Sequence, residues 1–376
     1  MHNGFFGLKI NSNGLCNFCA DPTHINPNWK KVIITDSLKK TRLNEWNDII
    51  KELKDKHGQD EYSCMIGYSG GKDSTALIDT FINEYKLKPF LVSINTGFMT
   101  EIAKKNIDKT LEKMDLLNDH IFIEEAIPTF TKLYKHLFTN HSSNEKGLTI
   151  NLCHICTDLI HTILVNEAIK RNLKYVFIGF SPDQIARYFF ETSAEDVMID
   201  GLPHPLEFKE SLDKSDLKLF LNDKISLEHL PRVVYPYHVI EYDENEIIRR
   251  IEEKGLIERG KGDPVLTNCH VVKAALMYDL FRYGGITYAL QYAELVRQKE
   301  KEIKKKARKA WLRILNNVGK SIINGTFDAE GIEDFLNKIG IKKDDLKELI
   351  EKEREKDQEK NTILRNIDLF KTNKLK

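Results

Sequence analysis

A short glycine-containing turn between a strand-like and a helix-like segment constrains the fold of this chain most. Apolar residues at 63–66 lead into Ser-Gly-Gly-Lys-Asp-Ser at 69–74, and residues 75–85 follow with the apolar spacing of a helix. Two adjacent glycines allow a sharp turn and bring backbone N–H groups close to an anion at the helix N-terminus. Lys72 adds a positive charge, and the flanking hydroxyl groups add donors. The stretch therefore predicts a phosphate-binding loop between a strand and a helix.

Strand-like and helix-like patterns alternate after this loop. Strand patterns recur at 88–95, 120–124, 174–180 and 232–236, and helical patterns separate most of them. One of these helices is predicted at 157–172, opened by a pair of cysteines. Such alternation predicts an α/β fold with a doubly wound parallel sheet, in which ligands bind at the carboxyl ends of the strands.

The domain organisation follows from changes in pattern along the chain. The first residues have little apolar periodicity, and from residue 274 onward the pattern is helical, with one helical unit predicted at 330–352. We therefore predict an N-terminal cysteine module at 1–36, a nucleotide-loop domain at 37–273 and a helical C-terminal region at 274–376.

Composition narrows the class of protein. The 376 residues include 57 Lys+Arg and 57 Asp+Glu, so the net charge is zero and no whole-protein field indicates a nucleic-acid binder. No apolar run approaches the roughly 18–20 residues of a membrane span, and the N-terminus lacks a signal-peptide pattern. Six cysteines without an export signal favour metal or redox chemistry over disulfides. We expect a cytoplasmic protein with no membrane partner.

Three cysteines after the loop are candidates for chemistry. Cys153 and Cys156 are separated by two residues, and Cys269 comes much later. A C-x-x-C pair can hold one metal centre from a single turn, and a third thiolate from a distant loop leaves one coordination position open. The same thiols can instead carry sulfur as a persulfide and form disulfides without iron. The structural alternative is that they pack as small buried hydrophobes.

The hexapeptide at 69–74 resembles the PP-loop of the ATP pyrophosphatase superfamily, which cleaves ATP between the α and β phosphates. It differs from a Walker A loop because Asp73 stands where that motif has Ser or Thr on magnesium. The resemblance implies an adenine nucleotide alpha hydrolase-like fold that transfers AMP to a substrate oxygen, with Lys72 and Asp73 catalytic. Asp73 and Asp183 would lie near Mg²⁺ or pyrophosphate. The implied ATP-binding residues are Ser69, Gly70, Gly71, Lys72, Asp73, Ser74, Asn95, Thr96, Gly179 and Asp183.

The order of PP-loop, C-x-x-C pair and late cysteine resembles the iron–sulfur tRNA thiolases, which make 2-thiouridine or 2-thiocytidine. In that family three cysteines bind a 4Fe–4S cluster with one free iron, and the resemblance assigns this role to Cys153, Cys156 and Cys269. It implies an AMP-forming sulfurtransferase. ATP adenylates a carbonyl or amide oxygen and releases pyrophosphate, and a sulfur held on the cluster or as a persulfide then displaces AMP.

An earlier cysteine pair, Cys16 and Cys19, resembles half of a zinc ribbon. His2 and His24 can complete a tetrahedral Zn²⁺ site, zinc can be shared across a homodimer, or the pair binds no metal. Such ribbons precede the loop in the thiolases and also in the N-acetyl sugar amidotransferases. The weaker resemblance to these sugar enzymes implies the alternative function, an ATP-dependent amidotransferase or ligase that uses ammonia and needs no iron cluster.

The acceptor is the least determined part of the function. A tRNA base is the usual acceptor for this cysteine pattern, whereas zero net charge and the departure from the family pattern at 181–184 favour a small or carrier-bound amide. Residues 297–313 hold nine basic and two acidic residues, which can contact a phosphate backbone or form the solvated face of a helix. We favour the solvated face. A sulfur donor is also required.

Overall fold

The computed structural model describes most of the chain, which divides into two compact units. We call Met1–Lys30, Leu133–His154 and His270–Lys376 the helical unit, and Lys31–Lys132 and Ile155–Cys269 the sheet unit. The division of the chain at residues 36 and 273 stays a prediction. The described residues are 9–13, 20, 35–56, 60–141, 147–182, 189–222, 224–261, 269–287, 289 and 301–372, with 301–308 described as backbone only.

One six-stranded sheet organises the sheet unit, in the order β3-β2-β1-β4-β6-β5. The strands are β1 (Cys64–Gly67), β2 (Pro89–Ile94), β3 (His120–Ile123), β4 (Tyr175–Ile178), β5 (Glu191–Thr192) and β6 (Arg232–Val234). All neighbouring pairs are parallel except β5 and β6, which are antiparallel. The predicted α/β fold with a doubly wound sheet is confirmed. The antiparallel edge strand is an addition, because two residues are too few to show a periodic pattern.

Among the described residues, seven α-helices accompany the strands: α1 (Asp36–Asp55), α2 (Lys72–Asp79), α3 (Glu101–Lys113), α4 (Ile127–Thr139), α5 (Leu148–Lys170), α6 (Ala194–Asp200) and α7 (Glu244–Glu253). The residues of α4 and α5 are each divided between the two units. Helix α2 continues as a π-helical turn over Thr80–Glu84, within the helix predicted at 75–85. Trp46 of α1 lies 5.6 Å from Phe177 and 6.1 Å from Phe81 between ring centroids. Each buried aromatic of this kind contributes about 1.5–3 kcal/mol.

Helix α5 begins earlier than its sequence pattern predicts. It starts at Leu148 rather than near residue 157, so the cysteine pair lies inside the helix. The cause is a cap from far along the chain: the buried Asp279 carboxylate accepts hydrogen bonds from the N–H groups of Leu148 (2.6 Å) and Thr149 (3.1 Å). A carboxylate at a helix N-terminus satisfies N–H groups that have no partner within the helix.

Helix α5 is also long and apolar enough, by length and composition alone, to cross a membrane. The expectation that no apolar run approaches a membrane span therefore needs correction. The same property is common in core helices of soluble proteins, and 56% of the apolar window is buried inside the protein. The Asn166 side chain donates hydrogen bonds to the carbonyls of Leu219 and Phe220, as expected for a helix packed against protein. The cytoplasmic location stays a prediction.

The helical unit also contains α8 (His270–Tyr283), α9 (Lys301–Ile323), α10 (Ala329–Lys338), α11 (Lys343–Glu355) and α12 (Lys360–Lys371). The sequence predicted a single small helical segment at 330–352, whereas the chain forms two helices there, α10 and α11, with a turn between them. Gly340 lies in this turn with φ of 71°, a conformation that favours glycine. Phe138 lies 5.2 Å from Phe335 and 6.1 Å from Tyr278 between ring centroids, which forms an aromatic core within this unit.

A ring of four charged side chains closes one edge of the sheet unit. Arg42 of α1 contacts Glu45 (2.6 Å) and Glu191 of β5 (3.0 Å). Arg232 of β6 contacts the same two carboxylates, with 2.6 Å to Glu191. Burial raises the pKa of Glu45, but hydrogen bonds from the two arginines outweigh it, so the net pKa is lowered. The ring joins α1 to the two strands at this edge.

Candidate functional site

The loop predicted to bind phosphate lies where the strand order of the sheet reverses. β1 has β2 on one side and β4 on the other, so the parallel strands follow one another outward on both sides of this point, and the antiparallel β5 lies beyond β6. The chain leaves β1 at Gly67 and enters α2 at Lys72. In doubly wound sheets the crevice outside the carboxyl ends of these two strands is where ligands bind. The fold therefore places the loop at the expected ligand crevice.

Two glycines let this loop approach its neighbours closely. Gly70 has φ of +73°, and a Cβ there would lie 2.3 Å from the carbonyl oxygen of Ala103. Gly179 follows β4, and a Cβ there would lie 2.9 Å from the backbone nitrogen of Ser74. The Asn106 side-chain amide donates a hydrogen bond to the Gly70 carbonyl (3.1 Å), which stabilises the turn. Gly179 thus directly adjoins the start of α2.

We expect Gly70→Ala to destabilise the protein more than Gly260→Ala. Both glycines have a positive φ, 73° and 72°, so both substitutions carry the penalty of about 1–2 kcal/mol for a left-handed residue. A Cβ at Gly260 meets nothing within 4 Å, whereas a Cβ at Gly70 collides with backbone. The collision should add about 1–3 kcal/mol to the loss in unfolding free energy, measured by chemical denaturation. Equal losses in the two variants would contradict this account of the turn.

The hydroxyl groups of the loop bond within the loop itself. Ser69 Oγ lies 3.2 Å from Ser74 Oγ, and Ser74 Oγ donates to the Gly71 carbonyl at 3.2 Å. Thr75 Oγ1 donates to the same carbonyl at 2.8 Å. These bonds hold the loop in shape. The ATP-binding roles predicted for Ser69, Gly71 and Ser74 stay predictions.

Lys72 and Asp73 form a buried ion pair at the first turn of α2. Lys72 Nζ lies 2.7 Å from Asp73 Oδ2, and the two side chains are 5% and 12% exposed. Tyr242 joins the pair, because its hydroxyl donates to Asp73 Oδ1 (2.8 Å) and accepts from Lys72 Nζ (3.2 Å). Glu244 Oε1 lies 3.4 Å from the same ammonium. The predicted catalytic pair is therefore brought together with side chains from the segment that leads into α7.

Sequence reasoning missed the contribution of this segment. Tyr237 donates a hydrogen bond to the Asp73 carbonyl at 3.2 Å, and its pKa is raised by burial and then by the charge of Asp73. Asp243 caps α7 by accepting from the N–H groups of Asn245 and Glu246. The Asp-Glu pair before an apolar helix pattern is a recognisable cap and predicts a helix at 243–253, but it does not indicate which residues the segment contacts.

Asn95 takes part in the turn after β2. Its side chain accepts from the Gly97 N–H (2.8 Å) and donates to Glu124 Oε1 (3.2 Å). Asn95 and Thr96 are both buried. Their predicted contact with the nucleotide stays a prediction. Asp183, Cys16 and Cys19 lie outside the described residues.

Cys153 and Cys156 lie one helical turn apart on α5, and both are half-buried. Leu164 of the same helix packs over Gly67, where β1 ends, and α5 then runs on to the start of β4. Cys156 precedes Leu164 by eight residues, or about 12 Å of helix, which places it beyond the carboxyl ends of the strands. The Cys269 backbone forms an isolated antiparallel β-bridge with Met99, which follows the carboxyl end of β2. Cys156 and Cys269 thus both lie at the edge of the sheet formed by the carboxyl ends of the strands, where the loop also lies.

Three cysteines were predicted to hold an iron–sulfur cluster. Cys153, Cys156 and Cys269 all belong to the described part of the chain, and within that part no group of three or more His, Cys, Asp or Glu residues is arranged to hold a metal ion. The cluster stays a prediction.

Asp158 of α5, two residues after Cys156 in sequence, pairs with His204 from the segment that follows α6. His204 Nε2 lies 3.1 Å from Asp158 Oδ2, and its Nδ1 lies 2.9 Å from the Leu202 carbonyl oxygen. An ionised carboxylate and a carbonyl can only accept, so both ring nitrogens bond fully only when both carry hydrogen. Burial lowers the pKa of His204, but the hydrogen bond and charge of Asp158 outweigh it and the net pKa is raised. The pair therefore favours charged His204.

We expect this pair to make stability depend on pH. The pKa of His204 is raised above its ordinary 6.5, so its contribution is fully present below that pH and is lost as pH rises through the folded-state pKa. Urea unfolding from about pH 5.5 to about pH 8.5 measures the free energy of unfolding across this window. His204→Gln should flatten the decline, and His229→Gln, at an exposed histidine, should not. The same slope in wild type and His204→Gln would refute the assignment.

The solved structures that match this chain include a distant likeness. The chain aligns with the solved structure of the U34-tRNA thiolase NcsA from Methanococcus maripaludis with its 4Fe-4S cluster. The alignment has a TM-score of 0.33 and 15% sequence identity, and covers 74% of this chain and 80% of that chain. No family model and no curated protein matches the chain. The fold assignment rests on the sheet topology described above.

Proposed function

We propose that this chain is an AMP-forming sulfurtransferase of the ATP pyrophosphatase type. It activates a carbonyl or amide oxygen with AMP, releases pyrophosphate and replaces the oxygen with sulfur. One observation carries the proposal: the loop at 69–74 opens a helix at the strand-order reversal, with a buried lysine at the first helical position. This combination of place, backbone and charge is what polyphosphate binding requires.

The ATP side of the reaction uses the start of α2. Gly71 is the N-cap and has no side chain, so the helix N-terminus, with its partial positive charge, is open to a phosphate group. The substrate oxygen attacks the α-phosphorus, and the bond from that phosphorus to pyrophosphate breaks. Lys72 and the loop N–H groups stabilise the charge that develops on the leaving pyrophosphate. Mg²⁺ in such sites takes one or two carboxylates and phosphate oxygens, and Asp73 would supply one of these carboxylates.

The sulfur side of the reaction uses the cysteine pair on α5. Residues three apart in a helix have Cα atoms about 5 Å apart, within the range that a disulfide spans. One cysteine carries a persulfide, whose terminal sulfur attacks the activated carbon and expels AMP with the original oxygen. The second thiolate then attacks the first cysteine sulfur, which breaks the S–S bond and releases the sulfur-containing product. A thiol reductant reduces the resulting disulfide, and a persulfide donor reloads the enzyme.

The acceptor we propose is a tRNA base or a small or carrier-bound amide, since each has an oxygen that AMP can activate. Protein purified without oxygen should be incubated with ATP, Mg²⁺, a persulfide donor and each class of acceptor in turn. Acceptor-dependent release of AMP and pyrophosphate, together with sulfur in the product, supports the proposal. Ammonia incorporated in place of sulfur would identify an amidotransferase. Release of ADP, or no turnover with any acceptor, would reject the PP-loop assignment.

Metal analysis of the same protein tests how sulfur is carried. About four irons and four acid-labile sulfides per chain would assign Cys153, Cys156 and Cys269 to a cluster and replace the persulfide step. Iron-free protein that transfers sulfur would assign the persulfide. Zinc that is lost when Cys16 and Cys19 are replaced would place a zinc site at the N-terminal pair.

A further inference from the structure

The Lys72 ammonium group is surrounded by acceptors from two helix starts. Its Nζ lies 2.7 Å from Asp73 Oδ2, 3.2 Å from the Tyr242 hydroxyl and 3.4 Å from Glu244 Oε1. Lys72 donates hydrogen bonds to Asp73 and Tyr242, and Glu244 lies beside the ammonium group as an ion-pair partner. A phosphate oxygen that binds Lys72 therefore competes with these three groups.

Glu244 is the acceptor that is easiest to displace. Its contact with Lys72 is the longest of the three, and its side chain is 59% exposed, against 12% for Asp73. Asp73 is also bound by the Tyr242 hydroxyl at 2.8 Å, so Asp73 and Tyr242 hold each other in place. Releasing an exposed carboxylate to water costs little, whereas separating the buried pair would leave charge without a partner.

The charges around Lys72 determine which anion can displace Glu244. Lys72, Asp73 and Glu244 together carry one net negative charge, which opposes the approach of a polyphosphate. Glu244 occupies the first position of α7, where the helix dipole favours a carboxylate. The Glu244 side chain therefore stays beside Lys72 until an anion that binds Lys72 more tightly displaces it.

We propose that Glu244 competes with the phosphates of the nucleotide for Lys72 and is displaced when ATP binds. The inference rests on the proposed function and adds a residue that sets nucleotide affinity without touching the reacting atoms. Tyr242 stays in place and keeps Lys72 beside Asp73. The competition makes binding favour ligands with several negative charges over weaker anions.

Glu244→Gln tests the proposal, with Glu246→Gln as the matched control. Glu246 lies in the same first turn of α7 but pairs with Arg249, at 2.7 and 3.0 Å, instead of Lys72. Both changes remove one negative charge from the same helix N-terminus. Calorimetry at low salt should show a Kd for Mg-ATP and for inorganic pyrophosphate about two- to five-fold lower for Glu244→Gln. Glu246→Gln should bind like wild type, and added salt should shrink the difference.

The outcomes separate the two proposals. Equal affinities in the two variants, or weaker binding by Glu244→Gln, would overturn the competition. Glu244 would then have no effect on nucleotide binding, or would itself contribute to it. If neither wild type nor either variant bound ATP or pyrophosphate, the proposed function would fall as well. Tighter binding by Glu244→Gln without AMP formation on any acceptor would retain the competition and reject only the reaction.

Discussion

Replacing Lys72 by alanine is expected to lower AMP and pyrophosphate formation by about 100- to 1,000-fold. The ammonium is buried next to the start of α2, so no other cation described at this position can take over its role in stabilising the leaving pyrophosphate. Removing it also leaves Asp73 and Glu244 as two unbalanced negative charges facing the phosphates. Single-turnover release of labelled AMP and pyrophosphate measures the loss.

Two further variants identify the cause of this loss. Lys104→Ala removes a partly exposed lysine that pairs with Glu101 on α3, at 2.9 Å, and should leave turnover unchanged. Lys72→Arg keeps the charge but changes its geometry, so turnover should lie between wild type and Lys72→Ala. Thermal unfolding of each variant checks that the fold is kept. A folded Lys72→Ala protein with the turnover of Lys104→Ala would show that the loop does not act on phosphate.

Replacing either Cys153 or Cys156 by alanine is expected to lower sulfur transfer by about 1,000-fold or more, while adenylation of the acceptor and release of pyrophosphate continue. Both thiols are needed because one carries the sulfur and the other releases the product. Adenylation depends on α2, which keeps its own contacts in these variants. Mass spectrometry of the acceptor measures sulfur incorporation, and pyrophosphate release measures adenylation in the same reaction.

Cys64 and Cys269 supply the comparisons for this experiment. Cys64 is fully buried in β1, and burial raises the pKa of its thiol, so Cys64→Ala should leave both steps intact. Cys269→Ala should retain sulfur transfer if a persulfide passes between Cys153 and Cys156, and lose it if the three hold a cluster. Wild-type sulfur transfer by Cys153→Ala would eliminate both mechanisms.

The strand, loop and helix around Lys72 could be predicted because their signals are local. Apolar residues, adjacent glycines and a helical period follow one another within about twenty residues, and each signal depends on near neighbours. The alternation of strands and helices likewise predicted the doubly wound sheet, because crossover connections follow general rules of chirality and packing.

The contacts that complete the site could not be predicted, because they join residues far apart in sequence. Tyr242 meets Lys72 across 170 positions, and Asp279 caps α5 across 131 positions. The cap moved the start of α5 by about two and a half turns relative to its sequence pattern. Neither tyrosine nor aspartate at those positions has a local pattern that names its partner. Long-range hydrogen bonds of this kind depend on packing that only the fold provides.

The charged ring at the β5 edge has a consequence for how the protein behaves at high concentration. An edge strand with free backbone groups invites a second chain to add to the sheet and start aggregation. β5 is only two residues long, and the ring of Arg42, Glu45, Glu191 and Arg232 lies at that edge. An incoming strand would find few backbone partners there and would have to separate two arginines from two glutamates. This edge therefore resists the intermolecular pairing through which sheet proteins precipitate.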